Sequence, residues 1–430
     1  MSARLALLVA GILFFTACKK DADDILPQGS INSPSTGKTY YLPDTVYVNA
    51  SVSDNNVLRF VKLAVTKGDG VPISSVYQQN EFSGTQADIN AALVVDDVHI
   101  TSGNYFIQLT VGDGINTREV FRQIQLIETP LALTGTLFVR NIGQETAIDS
   151  LSNGDLLSAT TVGGNVSKLL AGSYFQEIVL ASTFSSGIRF LNSSGFYEWG
   201  VLPIQAGQVQ YPVMDMWFSS VDLRYYVALS DGTVRALGKK GQQLLTLNIG
   251  SGFVPDMVRV FDTSVFVFAR NQAAGMKVLF VFNRTSGVLL QSAQLDFEVN
   301  DIFPLSNGSM LLLVTVGNQW TVKQMNASDL SVTDAGVGQT SGSIKSVVKR
   351  TDDSYAILTD EGLYLAGPGF SQISLVSGTQ SVLQVRENQV SGSLYISTAS
   401  TWSQVDGNGN LVNPIALPQG VVDFDFLYNK

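Results

Sequence analysis

The sequence predicts an all-β chain, an N-terminal β-sandwich followed by a β-propeller of seven blades. Three observations lead there. From about residue 180 to the C-terminus one phrase recurs: a short alternating apolar strand, a turn rich in Gly, Asn, Ser or Asp, and a second strand. Its copies are GIRFLNSSGFYEW (187–199), GTVRALGKKGQQLLTL (232–247), KVLFVFNRTSGVLLQS (277–292), WTVKQMNASDLSV (320–332), GLYLAGPGFSQISL (362–375) and WSQVDGNGNLVNPIAL (402–417). A hairpin recurring every ~40 residues is the signature of propeller blades. Residues 30–128 instead show period-two alternation broken by turn residues, as two packed antiparallel sheets require. Finally, 45% of residues are hydrophobic and only 14% charged, with 39 glycines, a composition that suits many short strands joined by tight turns.

The totals exclude several classes of function. Net charge is −10, and Lys and Arg cluster no further than pairs such as Lys239-Lys240 and Lys349-Arg350. A run of phosphates has nothing to neutralise it, so nucleic acid is not an expected partner. Cys18 is the one cysteine and His99 the one histidine. That rules out a disulfide framework within the chain and a Cys/His zinc site. It also removes Ser-His-Asp and Cys-His catalysis from the repeat region. His99, in the strand-like VVDDVHITSG (94–103), is expected to be a partly exposed structural residue.

Residues 1–17 read as a signal peptide. Arg4 supplies the positive start, and the apolar run 5–15 is too short to span a bilayer. The following Phe15-Thr16-Ala17-Cys18 resembles the lipobox of bacterial lipoproteins, with Phe15 where leucine is usual. The resemblance implies cleavage before Cys18, its acylation and a lipid anchor in the membrane. The other reading is an ordinary signal peptide with an incidental cysteine. Lys19-Lys20-Asp21-Ala22-Asp23-Asp24 resembles the charged export signal of surface lipoproteins of the Bacteroidota. This implies an outer-membrane protein exposed at the cell surface; the alternative is a solvated tether, with the protein facing the periplasm. Residues 18–29 form the tether and linker.

In the first domain, 30–128, Val46, Val48, Ala50 and Val52 fall on one face of 45–53, and strands follow at 60–65 and 93–100. Tyr105, Ile107, Leu109 and Val111 then alternate, Gly112-Asp113-Gly114 turns, and 120–127 returns. The piece GNYFIQLTVGDG (103–114) resembles the closing hairpin of PKD-like and related immunoglobulin-like domains. The Cys pair and core Trp of antibody-type domains are missing, so the resemblance is to bacterial surface spacers and implies a stalk or contact module, expected here to be a spacer, with a specific binding site as the alternative.

After Glu128-Thr129-Pro130 the second domain, 131–430, is read from its inner strands. PVMDMWFSS (212–220), PDMVRVF (255–261), VNDIFPL (299–305), IKSVVKR (344–350) and SVLQVRE (381–387) stand about forty residues apart. IDSLSNGDLLSA (148–159) echoes DIFPLSNGSMLLL (301–313) and suggests a further blade, and 177–183 starts another. The count is seven, with six or eight as alternatives. VVDFDFLYN (421–429) reads as an inner strand with no hairpin after it, expected to close the ring by pairing with 134–140. VFNRTSGVLLQ (281–291) resembles the blade hairpin of quinoprotein-type propellers. The tryptophan docking motifs of those enzymes and the GH and WD dipeptides of tryptophan–aspartate repeats are absent, so the resemblance covers architecture alone.

Four carboxylates form the candidate site. Asp215, Asp256, Asp301 and Asp423 each stand at the start of an inner strand, where two other blades have Ser346 and Gln384. Inner strands line a propeller's channel, so the four are expected at one of its mouths, as ligands for Ca²⁺ or partners for a sugar. The competing role is structural, each Asp capping the turn before its strand. Trp217, two residues beyond Asp215 and on its face, suits stacking on a sugar ring, whereas Trp320 and Trp402 read as blade packing. Ca²⁺ is the one cofactor this pattern suggests. The expected function is a non-catalytic lipoprotein whose propeller binds a glycan or an envelope protein. The alternative is a polysaccharide hydrolase, whose paired carboxylates stand about 5–5.5 or 6.5–9.5 Å apart, or a lyase, for which inward Arg and Lys candidates are few.

Overall fold

The computed structural model describes residues 25–152, 154–181, 187–196, 198–202, 212–335, 340–350 and 353–430. Cys18 and the segment 19–24 lie outside the described residues. The chain divides into two compact units, the first ending at Pro130 and the second beginning at Leu131. No helix among the described residues is long and apolar enough to cross a membrane.

The first unit holds β1 (Gln28–Ser33), β2 (Thr39–Tyr41), β3 (Asp44–Ser53), β4 (Phe60–Thr66), β5 (Tyr77–Asn80), β6 (Gln86–Val95), β7 (Gly103–Gly112) and β8 (Thr117–Ile127). They form two sheets, ordered β1-β3-β6 and β2-β8-β7-β4-β5. One apolar core joins the inner faces of both. Alternation dictates it: Val46, Val48, Ala50 and Val52 of β3 are buried, and so are Tyr105, Ile107, Leu109 and Val111 of β7. The β7–β8 turn is held by Asp113, whose Oδ1 accepts the N–H groups of Ile115 and Asn116, both at 2.6 Å. His99 is partly exposed, its side chain at 26%, with Nδ1 3.0 Å from Asp97.

The second unit is a β-propeller. Among the described residues it comprises seven antiparallel meanders of four strands, one of them with a fifth short strand, Thr340–Ser341. Sheet 1 takes three strands from 133–163 and its remaining strand, Val421–Tyr428, from the C-terminus. Sheets 2 to 7 follow in order at 168–202, 213–248, 253–295, 298–334, 344–375 and 384–416. Their first strands neighbour one another in sequence, and Val421–Tyr428 completes the cycle between Gln384–Asn388 and Lys168–Gly172. Pairing of Val421–Tyr428 with Leu133–Ile142 is antiparallel, Phe424 opposite Phe138. This is the pairing expected from the sequence, and it covers the edge of Leu133–Ile142 that the strand Glu145–Ser152 leaves open. Apolar clusters fill the spaces between adjacent sheets, as where Tyr226 and Val234 of sheet 3 meet Val258, Val267 and Phe280 of sheet 4.

The repeated phrase is the outer hairpin of sheets 2 to 7, their third and fourth strands. In sheet 4 the third strand, Lys277–Asn283, buries five consecutive residues, whereas the fourth, Leu289–Leu295, is largely exposed. Two sequence expectations shift, one by a hairpin and the other by a single strand. Residues 148–159 belong to the third and fourth strands of sheet 1, Glu145–Ser152 and Asp155–Gly163. They share with 301–313 the sequence Leu-Ser-Asn-Gly, and such turn chemistry serves an inner or an outer hairpin equally well. Likewise Glu177–Ala181 is the second strand of sheet 2, preceded by the five-residue Lys168–Gly172.

Candidate functional site

Five of the seven first strands, those of sheets 1, 3, 4, 5 and 6, carry a bulge near their start, and the bulge decides which way each carboxylate faces. In sheet 3, Val213 opposes Leu229 and Asp215 opposes Ala228, leaving Met214 as the extra residue. Sheets 5, 6 and 1 repeat this with Asn300, Lys345 and Val422 extra, so Asp301, Ser346 and Asp423 occupy the position of Asp215. In sheet 4 the extra residue is Asp256 itself, between Pro255 and Met257. A slip of one residue reverses the side chain's face. Asp256 therefore does not join the other three. It stands 38% exposed, 3.2 Å from Arg270 of the neighbouring strand, which corrects the expected four-membered ring.

Asp215, Asp301 and Asp423 are instead links in a belt of alternating charge. Asp215 receives Lys168 of sheet 2 on one oxygen at 3.0 Å and Arg259 of sheet 4 on the other at 2.7 Å. The Val258 N–H donates to it as well, at 3.1 Å. Arg259 turns its remaining donors to Asp301 of sheet 5, Nε at 2.8 Å and Nη2 at 3.3 Å. On the other side Arg386 of sheet 7 reaches Asp423 of sheet 1 at 3.2 Å. Asp423 and Asp425 then accept the backbone N–H groups of Leu169 and Ala171 in sheet 2, at 3.0 and 2.8 Å. Lys168 also acts on Asp423, favouring its charged form. From sheet 7 to sheet 5 the order is Arg386, Asp423 with Asp425, Lys168, Asp215, Arg259, Asp301, each link joining neighbouring sheets. In sheet 6 the equivalent residue is Ser346; in sheet 7, Gln384 accepts from Arg386 at 3.5 Å.

Burial raises the pKa of every carboxyl in the belt, and the partners decide how far this is reversed. Burial pushes Asp215 up, but Lys168, Arg259 and the Val258 N–H outweigh it and hold the group below the ordinary value. At Asp301 and Asp423 burial prevails over Arg259 and Arg386, and both stay raised. Asp425, buried and beside Asp423, is pushed up to about 6. Burial lowers the pKa of Arg259, yet Asp301 and Asp215 together raise it above its usual value.

Chemically this is a clasp. The oxygens of Asp215, Asp301 and Asp423 are committed to N–H donors, and no group of three or more His, Cys, Asp or Glu among the described residues has metal-holding geometry. The donor set does not fit Ca²⁺. A glycosidic bond cannot lie between Asp215 and Asp301, because the Arg259 guanidinium does. Trp217 follows suit: the guanidinium carbon of Arg259 stands 4.6 Å from its ring centroid, a cation–π contact, and Phe261 meets its edge at 6.4 Å. One face of the indole is thus already covered. Trp320 and Trp402 pack between sheets, Trp320 against Tyr364 of sheet 6 at 5.8 Å and Trp402 against Phe138 of sheet 1 at 5.8 Å, with Tyr395 of its own sheet stacked on Trp402 at 4.5 Å.

Sequence reasoning missed Lys168, Arg259, Arg386 and Asp425, and the expectation of few inward cations is overturned. A signal was present. Arg259 in Val-Arg-Val is a lone cation in an apolar strand, and a buried charge requires a counter-charge, whereas Arg386 stands among the polar residues of Gln-Val-Arg-Glu-Asn.

A further buried carboxylate, Glu177, ties sheet 2 to sheet 3. It accepts the Tyr225 hydroxyl at 3.1 Å and the Lys240 N–H at 2.8 Å. Gly172 leaves the space that the Tyr225 hydroxyl fills, and Gly241, at φ 75°, lies where a Cβ would meet the Phe190 ring at 2.7 Å. Burial raises the Glu177 pKa despite these bonds. Its contribution to stability is therefore complete below the unfolded value, about 4.3, and is lost as pH rises through the folded one. Glutamine retains both contacts, its carbonyl accepting from Lys240 and its amide donating to Tyr225. Glu177→Gln is expected to gain stability relative to the native protein as pH rises from 4.5 to 8. Urea midpoints that differ by the same amount at both pH values would exclude this.

No family model matches the sequence, and no curated protein matches it. The likeness to solved structures is one of fold. Dihydro-heme d1 dehydrogenase NirN in complex with DHE aligns at a TM-score of 0.50 and 12% identity, over 74% of this chain and 72% of that one. A functionally unknown protein from Desulfotomaculum acetoxidans aligns at 0.50 and 13%, over 68% and 98%. The β-propeller domain of Cps50 (Swd1) from Myceliophteria thermophila aligns at 0.47 and 11%, over 60% and 89%.

Proposed function

We propose that this chain is a non-catalytic lipoprotein of the outer membrane, exposed at the cell surface. Its seven-bladed propeller binds a glycan or protein partner, and a PKD-like or immunoglobulin-like first unit acts as spacer. The carrying observation is the belt, which commits the first-strand carboxylates to holding neighbouring sheets together. That leaves recognition to the outer surfaces and removes Asp215, Asp301 and Asp423 as the acids of the hydrolase alternative.

Seven meanders and a cycle of first strands closed by the C-terminus support a ring of seven blades. Two sheets over one core, ending in the β7–β8 hairpin, support an immunoglobulin-like spacer. The lipobox-like 15–18 and the charged 19–24 support the anchor and its outward address.

Labelling with a palmitate analogue tests the anchor. The native chain is expected to take up label and sediment with membranes, and Cys18→Ala to do neither; equal labelling of both would refute lipidation at Cys18. Protease added to intact cells is expected to remove the protein, whereas complete protection would place it facing the periplasm.

A further inference from the structure

The sheet β1-β3-β6 turns one face to the core of the first unit and the other to solvent, and the outward face has an unusual chemistry. Its three strands read QGSINS, DTVYVNASVS and QADINAALVV, with no Lys or Arg and only Asp44 and Asp88 as acids. A ladder of amides and hydroxyls crosses it. Asn32 Nδ2 donates to Asn49 Oδ1 at 2.9 Å and to Ser51 Oγ at 2.8 Å. Asn49 Nδ2 donates to Asn90 Oδ1 at 2.9 Å, and Ser51 Oγ to Asp88 Oδ1 at 2.7 Å. Beside the ladder stands Tyr47, 71% exposed, directly opposite the small Ala92. The size difference opens a hollow of about 290 Å³, lined by Tyr47, Asn49, Asn90, Ala92 and Ser33 among others.

We propose that this face binds a neutral carbohydrate, independently of the propeller reading above. A saccharide presents hydroxyls that both donate and accept, together with an apolar C–H face. Amides already held by their neighbours meet the first without further ordering, and an exposed aromatic ring with a polar tip meets the second. The lack of Lys and Arg gives an anionic ligand no attraction. An added peptide strand is not favoured on the β6 side, where Ser75 already takes both backbone groups of Val94, its N–H bonding Val94 O at 2.9 Å and its Oγ accepting Val94 N–H at 2.8 Å. The amide ladder, the exposed tyrosine and the hollow thus converge on one uncharged, bifunctional ligand class.

The test is affinity electrophoresis of the full chain in native gels cast with amylopectin, xyloglucan or galactomannan, and with polygalacturonate for comparison. At least one neutral polymer is expected to retard the protein, and polygalacturonate not to. Tyr47→Ala is expected to weaken retardation at least tenfold, and Asn90→Ala to weaken it. Tyr41→Ala removes a tyrosine that is 72% exposed on the other sheet and is expected to change nothing. Because Tyr47 is exposed, its variant is expected to melt like the native chain, so a loss of retardation reports binding. Retardation by none of the neutral polymers, retardation that survives Tyr47→Ala, or equal retardation by polygalacturonate would each overturn the proposal.

Discussion

Replacing Arg259 with methionine is expected to lower the unfolding free energy of the second unit by about 3–5 kcal/mol, the usual effect of breaking a buried ion pair from one side. Methionine fills similar space, so the loss is electrostatic. Asp215 and Asp301, with side chains 13% and 7% exposed, would be left without the cation between them. The four tryptophans, at 199, 217, 320 and 402, all lie beyond Leu131, so urea denaturation followed by their fluorescence reports this unit alone. Adding Asp215→Asn and Asp301→Asn to Arg259→Met is expected to recover part of the loss by removing the stranded charges. A single variant within about 1 kcal/mol of the native protein, the level of an exposed ion pair, would show that the belt does not hold the sheets together.

Ending the chain after Gly420 is expected to abolish cooperative unfolding of the second unit while the first unit stays folded. The strand removed, Val421–Tyr428, buries Phe424, Phe426, Leu427 and Tyr428 at 0, 3, 6 and 6% exposure. Each such side chain contributes about 1.5–3 kcal/mol, and four of them rival the 5–15 kcal/mol total of an ordinary domain. More is lost with them. Phe138 loses its stacking partner Phe424 at 5.8 Å, sheet 2 loses the Asp423 and Asp425 acceptors, and the Gln389 N–H loses the Tyr428 hydroxyl at 2.7 Å. Leu133–Ile142 would become an open edge, prone to pair with another chain. Limited proteolysis is expected to degrade 131–420 and spare a fragment ending near Pro130. A truncated chain whose tryptophan fluorescence still changes in one sigmoidal step would show that the ring does not depend on this closure.

Much of the architecture is legible in the sequence because strands and tight turns are local. The alternation from Val46 to Val52 needs no knowledge of the rest of the chain to predict one buried face. The unpartnered strand 421–429 predicts its own partner, since an apolar strand without a hairpin must find an edge elsewhere. Even so, Ser-Asn-Gly at 152–154 and at 306–308 marks a turn without saying which hairpin it closes.

The candidate site was legible only as a set of residue types. Asp256 reads like Asp215 in one dimension, because a bulge inserts one residue without disturbing the apolar pattern that reveals the strand. Which of the two is extra follows from pairing with the next strand. The cations were harder still, since Lys168 and Asp215 lie 47 residues apart and Leu169 and Asp423 lie 254 apart. By itself the sequence determined the all-β class, the repeating hairpins and the closing C-terminal strand, each set by short-range periodicity and turn chemistry. Only the tertiary structure decided that the aspartates join their sheets through Arg259, Lys168 and Arg386. Which charges neutralise one another depends on which sheets become neighbours and on a one-residue slip in each strand.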